Sequence, residues 1–257
     1  MIVKSILADF RLCTRHCWDN MPRVEKLSVI MPVFNERDTI EKIIGRVLEV
    51  ELPMELIVVD DCSSDGSHAK LLELAGRSPE IRLVRHARNR GKGAAIRTGL
   101  EYVSGDVVVI QDADLEYDPA EYPRLLAPIR EGRADVVYGS RFLGGARREF
   151  KLTHALANRF LTLLSNLVTG LDLSDMETCY KMFRAQLINC ARFESERFGI
   201  EPELTAHFAR AGARICEVPI GYSGRGYAAG KKIGVKDGLE AIFAILKFNL
   251  FAGRRPK

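Results

Sequence analysis

The chain has 257 residues, 47% hydrophobic and 28% charged, the makeup of one globular domain with a full core, with or without short appendages. Its 38 basic and 34 acidic side chains leave a formal charge of only +4, which argues against a nucleic-acid partner, because that calls for a concentrated basic face. Cys13, Cys17, Cys62, Cys179, Cys190 and Cys216 are scattered without disulfide or zinc-site spacing, and no run reaches the ~20 apolar residues of a membrane span, so a reducing, cytoplasmic setting is expected.

Residues 1–26 carry no strand pattern and read as a disordered extension. From Leu27 onward, apolar runs alternate with helical periodicity, the signature of a parallel sheet with crossover helices. Strands are expected at 27–31, 55–59, 82–85, 106–110 and 136–138. Leu-Ile-Val-Val and Val-Val-Val-Ile within them are apolar throughout, as strands covered on both faces should be. Helices are expected at 37–50, where Ile40, Ile43, Ile44, Val47 and Leu48 share a stripe, and at 67–75, 93–103 and 119–130, the last opened by Pro119. Past Gly139 the pattern changes. An amphipathic stretch at 152–171 gives way to a polar segment at 175–181 and a mixed region to Pro219. A Gly-rich basic loop at 223–234 then leads into a final amphipathic helix at 236–251.

Ligands of open parallel sheets bind beyond the carboxyl ends of the strands. The expected strands are followed in turn by Pro32-Val33-Phe34-Asn35-Glu36, by Asp60-Asp61-Cys62-Ser63-Ser64-Asp65-Gly66, by Asn89-Arg90-Gly91-Lys92-Gly93, by Asp112-Ala113-Asp114-Leu115-Glu116 and by Gly139-Ser140-Arg141. Carboxylates, glycines and cations thus converge on one edge, a pattern suited to a metal and a diphosphate. Asp112 and Asp114, two apart at a strand end, can project to one side, and their hard oxygens suit Mg²⁺ or Mn²⁺. The glycines of 89–93 permit close backbone approach, and Arg90 and Lys92 are placed to meet phosphate. A dinucleotide-binding Gly-x-Gly-x-x-Gly is absent after the first strand, which argues against a dehydrogenase.

Taken in order, these motifs resemble those of glycosyltransferase family 2. Gly139-Ser140-Arg141, Asp175-Met176-Glu177-Thr178-Cys179-Tyr180-Lys181 and Arg225-Gly226-Tyr227-x-x-Gly230-Lys231-Lys232 narrow the similarity to the polyprenyl-phosphate hexosyltransferases, the dolichol-phosphate mannose synthase group. The resemblance implies a GT-A fold: α/β, with a Rossmann-like, mostly parallel sheet flanked by helices. It implies one catalytic domain over 27–235, followed by a helix and basic tail over 236–257. It further implies that Pro32, Phe34, Glu36 and Asp61, with Asp60 beside them, hold the nucleotide of a nucleotide-sugar. Asp112 and Asp114 would hold the metal, with Glu116 as third ligand or water anchor. Arg141 would meet an acceptor phosphate, and Lys92, Arg225 and Lys231 the donor diphosphate. Transfer with inversion at the anomeric carbon is implied as well. The Asp-Met-Glu-Thr-Cys run departs from the Asp-Pro-x-Ser-Gly of many relatives.

A phosphate monoester acceptor has a second pKa near ~6 and attacks without a protein base. A hydroxyl acceptor needs one, and Asp175 is the candidate for that runner-up chemistry. In the final helix, Leu239, Ile242, Phe243, Leu246 and Leu250 fall on one face. The helix either packs on the catalytic domain or also rests on the cytoplasmic face of a membrane.

Overall fold

The computed structural model describes residues 26–144, 152–189, 191–224 and 235–251. Seven strands form one sheet: β1 (Leu27–Val33), β2 (Met54–Asp60), β3 (Ile81–Arg85), β4 (Val107–Ile110), β5 (Val136–Ser140), β6 (Lys181–Arg184) and β7 (Ile215–Pro219), in the order β3-β2-β1-β4-β6-β5-β7. The helices are α1 (Ile40–Leu48), α2 (Ser67–Arg77), α3 (Lys92–Leu100), α4 (Tyr122–Arg130), α5 (Leu152–Thr169), α6 (Ile200–Arg210) and α7 (Val235–Leu246). The α/β class and the five expected strands are present. Every residue of β4 and β5 is buried, as strands covered on both faces should be. The 119–130 helix is a 3-10 turn, Pro119–Glu121, capped by the Asp118 carboxylate and continued as α4.

The mixed region after Gly139 holds what periodicity did not reveal. β6 runs antiparallel between β4 and β5, while β7 runs parallel to β5 at the edge. Lys181 and Arg184 bracket a four-residue strand that is nevertheless wholly buried, so its charged ends hide it from any hydropathy pattern. The reversal has a consequence for function. An antiparallel strand presents its beginning, rather than its end, at the edge where its parallel neighbours finish. The segment before β6 is thereby carried to the ligand-binding edge, and Asp175, Met176, Thr178 and Tyr180 of that polar stretch are buried rather than solvated.

α7 packs on α5 and α6 with Ala241, Ala244 and Ile245 buried, so the final helix docks on the body of the domain. It ends in a π turn, Lys247–Phe251. No described helix is long and apolar enough to cross a membrane.

Candidate active site

Among the described residues, three non-glycine positions adopt left-handed backbone: Asn35 (φ 53°), Cys62 (φ 63°) and Leu115 (φ 63°). They sit just past β1, β2 and β4, at the edge expected to bind ligand. Such conformations cost energy and concentrate where surrounding bonds hold them for function. Here the first two loops are tied together. The Ser63 hydroxyl accepts from Asn35 N at 3.0 Å, Asn35 Oδ1 accepts from Ser64 N at 2.9 Å, and Glu36 N donates to Ser67 Oγ at 3.0 Å.

The paired aspartates after β2 divide their work. Asp60 is buried behind the loop, where its Oδ1 accepts from Ser63 N at 3.0 Å and its Oδ2 lies 2.9 Å from His68 Nδ1. It does not line the cavity at this edge, which departs from the nucleotide-side place expected for it. Asp61 does line that cavity, and its carboxylate gathers the next loop, accepting from Arg90 N at 2.8 Å and Gly91 N at 2.7 Å and lying 2.6 Å from His86 Nδ1. The glycines of that loop serve the chain itself. A Cβ on Gly91 would fall 2.4 Å from Glu196 O, and one on Gly93 would fall 2.4 Å from Ser195 O. Close approach is real at these positions, but the partner is the 195–197 backbone, held in place by Glu203 accepting from Glu194 N and Ser195 N.

β4 stops level with Ile30, and the chain turns out across the end of the sheet. Buried Gln111 fixes this turn by accepting from Tyr122 and Tyr180 hydroxyls at 2.7 Å each, while its amide donates to Asp112 O at 3.0 Å. Asp112, Asp114 and Glu116 all line a cavity of about 960 Å³, together with Pro32, Phe34, Glu36, Asp61, Lys92 and Arg141. Lys92 Nζ lies 2.8 and 3.0 Å from the two Asp112 oxygens and 3.2 Å from Glu201 Oε1. Burial alone would lower the Lys92 pKa, but the facing Asp112 and Glu201 carboxylates hold the ammonium well above its usual value. Asp114 Oδ1 accepts from Glu116 N at 3.1 Å, and Glu116 Oε2 accepts from the Tyr222 hydroxyl at 2.6 Å. Burial and that bond to Glu116 both push the Tyr222 pKa up.

Arg141 lies at the cavity wall, 5.3 Å over the Tyr222 ring, and is clasped by Asp175 through Nε and Nη2 at 2.7 Å each. Asn158 Nδ2 adds a further bond to the same carboxylate at 3.2 Å. Asp175 itself has no exposed surface and is absent from the cavity lining. Arg225 and Lys231 lie outside the described residues.

Four lining or supporting groups were given no role from the sequence, although the 175–181 motif contains the first two: Glu177, Lys181, Glu201 and Tyr222. Glu201 opens α6 and bridges Lys92 to Lys181, whose ammonium is wholly buried and also donates to Thr178 O. The result is an alternating chain of charges, Asp112–Lys92–Glu201–Lys181, running from the cavity into the core. Cys179 is buried beside it, and burial pushes its thiol well up, so it packs as an inert side chain.

Among the described residues, no three His, Cys, Asp or Glu side chains form a complete metal site. The donor set nevertheless fits a hard divalent cation: Asp112 and Asp114 offer carboxylate oxygens on an open cavity wall, where ligand oxygens and water would complete the shell.

The chain's similarities agree with this geometry. Residues 28–191 match the profile of Glycosyl transferase family 2. An undecaprenyl-phosphate mannosyltransferase of Micrococcus luteus is 31% identical over 88% of the chain and 95% of its own length. An undecaprenyl-phosphate 4-deoxy-4-formamido-L-arabinose transferase of Yersinia enterocolitica is 32% identical over 81% of the chain, which spans 63% of that protein's length. In structure, glucosyl-3-phosphoglycerate synthase of Mycobacterium tuberculosis, solved with Mn²⁺, UDP and glucosyl-3-phosphoglycerate, superposes with a TM-score of 0.68 at 22% identity, over 91% of this chain and 82% of that one. The same enzyme with Mg²⁺ and UDP gives 0.67 at 22% identity, over 98% and 85%. At that identity the likeness shows the fold, a GT-A-like α/β domain.

Proposed function

The chain belongs to glycosyltransferase family 2, and on that premise we propose that it moves a hexose from a nucleotide-sugar to a polyprenyl phosphate, with Mg²⁺ or Mn²⁺ and with inversion at the anomeric carbon. The observation that carries the acceptor is the two-sided cavity. One wall is charged, with Asp112, Asp114, Glu116 and Arg141. The other is apolar, with Phe160, Leu161, Leu239 and Ile242 from α5 and α7. A headgroup that is phosphate and a tail that is hydrocarbon match those two walls. The named activities of the undecaprenyl-phosphate relatives support the same reading.

In this reading Asp112 and Asp114 hold the cation, with Glu116, tethered by Tyr222, beside them. The cation supplies charge neutralisation for the departing nucleoside diphosphate. Pro32, Phe34, Glu36 and Asp61 line the nucleotide end, and Arg225 and Lys231 are the cations assigned to the diphosphate. Lys92 keeps Asp112 in place before ligand arrives. Arg141, oriented by Asp175, receives the acceptor phosphate. A dianionic phosphate attacks without a protein base, and Asp175, clasped by Arg141, serves as the orienting partner. The polyprenyl-phosphate acceptors named for the relatives support a reaction at a membrane surface, with α5 and α7 facing it.

The test presents undecaprenyl phosphate and free undecaprenol side by side with one donor and Mn²⁺. Transfer to the phosphate alone is expected. Equal transfer to both, or transfer only to soluble hydroxyl acceptors, overturns the acceptor assignment and favours the runner-up chemistry.

A further inference from the structure

Glu177 is a charged side chain of this cavity that the mechanism leaves without work. It lies in the segment that enters β6 and lines the cavity along with Lys92, Cys179 and Glu201. Its Oε1 is buried and has no hydrogen-bond partner. The surrounding charges are already committed: Asp175 to Arg141, Asp112 to Lys92, and Glu201 to Lys92 and Lys181. Burial pushes the Glu177 carboxyl up to about 7. Lys181 and Arg141 pull against that shift, and Glu201 and Asp175 add to it. Leaving a buried acceptor unmade is costly, and folded proteins keep few such groups.

The chemistry of the missing partner is set by the chemistry of the orphan. A carboxylate in want of a bond wants a donor. A phosphate dianion offers only acceptors and would be repelled by the ionised form. A ring hydroxyl of a sugar donates, and a diphosphate bound at Asp112 and Asp114 would carry its hexose within the same cavity that Glu177 lines. The last torsion of a glutamate is broad, so a partial turn brings the stranded oxygen toward the cavity that the side chain lines. We propose that Glu177 reads the donor sugar, accepting a hydrogen bond from one ring hydroxyl and thereby selecting which hexose is transferred. This rests on the nucleotide-sugar donor of the proposed function.

A pocket that hydrogen-bonds a hydroxyl discriminates strongly against the analogue lacking it, because its own polar group is then stranded. The experiment measures kcat/KM for UDP-glucose or GDP-mannose, whichever the wild-type enzyme turns over, and for the corresponding single-deoxy sugars. It compares wild type with Glu177→Ala and the isosteric Glu177→Gln, and titrates UDP and GDP against each. For wild type, one deoxy donor is expected to fall on the order of 100-fold or more. In Glu177→Ala that penalty shrinks to a few-fold, with affinity for the bare nucleotide unchanged. The Tm of ligand-free Glu177→Gln is expected to match or exceed wild type, since an amide there removes a buried acid. Identical deoxy-donor penalties in wild type and both variants overturn the proposal while leaving the donor class standing. A large fall in Tm for Glu177→Gln also overturns it, by showing a structural role. Failure of the wild-type enzyme to bind or hydrolyse any nucleotide-sugar removes the proposed function, and this inference with it.

Discussion

Arg141 and Asp175 meet as two forks, Nε on Oδ2 and Nη2 on Oδ1, with the Arg141 backbone N–H also donating to Oδ2 at 3.0 Å. Removing one member of a buried pair strands the other, which typically costs about 3–5 kcal/mol. Asp175→Asn should therefore lower stability by about 3 kcal/mol, roughly 6–12 °C in Tm for a domain of this size. Acceptor-dependent transfer should fall with it, while slow donor hydrolysis persists. Arg141→Lys should raise the acceptor KM or lower kcat, because an ammonium cannot reproduce the fork. A base role for Asp175 predicts a different pattern: unchanged Tm, abolished transfer and an altered pH–rate profile. Thermal melts beside transfer assays separate the two.

The metal prediction turns on Lys92. Its ammonium occupies the Asp112 carboxylate at 2.8 and 3.0 Å, so a cation arriving there competes with it. Asp112→Ala or Asp114→Ala should cost on the order of 10³-fold in rate, and chelator should abolish turnover. Lys92→Gln should tighten Mn²⁺ binding about tenfold by lifting the competing charge, yet slow turnover. Mn²⁺ titration followed by electron paramagnetic resonance reads the affinity directly. Unchanged or weaker binding in Lys92→Gln would sink the competition, and full activity of Asp112→Ala in chelator would falsify the metal assignment.

The sheet and its ligand edge were legible because buried parallel strands announce themselves as apolar runs, and the loop at the end of each run is its immediate neighbour in sequence. Asp112, Asp114, Asp61 and Arg141 were found that way. Glu177, Lys181 and Glu201 were not, since they reach the site only through an antiparallel strand and the start of α6. Their charges read as surface until the fold buries them against one another. Gly91 and Gly93 show the opposite error. Their need for space is plain in the sequence, but the occupant, the backbone at 195–197, is about a hundred residues away and has no local signature. Asp60 likewise looks identical to Asp61 in sequence, and only the turn into Ser63 separates them.

At the opposite end of the sheet, Glu55 accepts from Ser28 Oγ at 2.6 Å, Lys26 Nζ at 2.9 Å and Ser104 N at 2.7 Å. Burial alone would raise its pKa, but these bonds outweigh it and bring the carboxyl from 4.5 to about 2. A folded-state pKa below the unfolded one means stability that is full above the unfolded value. It is lost as pH falls from about 4.5 toward 2. Partial exposure screens the interaction, so about 1–2 kcal/mol is expected. Urea titrations at pH 6 and pH 3 should show this loss in wild type and a smaller one in Glu55→Gln. Equal losses in both would remove Glu55 from the acid limb.

The outer faces of α5 and α7 carry the last prediction. Leu156, Phe160, Leu163 and Leu167 recur along α5 at the spacing of a single helical stripe, and each is more than half exposed. Leu239 and Phe243 of α7 and Leu250 of the following turn are exposed as well. The two helices pack on each other, and Phe160 and Leu239 belong both to this outer surface and to the cavity wall. An apolar surface that continues into an apolar wall gives a lipid tail a dry route to the charged end. In sequence, Arg147, Arg148 and Lys151 precede α5, and Arg254, Arg255 and Lys257 come after α7, which suits anionic headgroups. Burying one such side chain in the interface gains about 1.5–3 kcal/mol. Leu163→Glu with Phe243→Glu should therefore weaken binding to phosphatidylglycerol vesicles by at least about 100-fold. Neither residue lines the cavity, so turnover of a short-chain, water-soluble polyprenyl phosphate should stay near wild type. Wild-type binding should weaken with added salt, as surface electrostatics do. Vesicle flotation and light scattering distinguish the occupants of this surface. Flotation lost in the double variant supports the bilayer, whereas a wild-type dimer that the same substitutions dissociate, without flotation in either protein, would assign the face to a second copy of the chain.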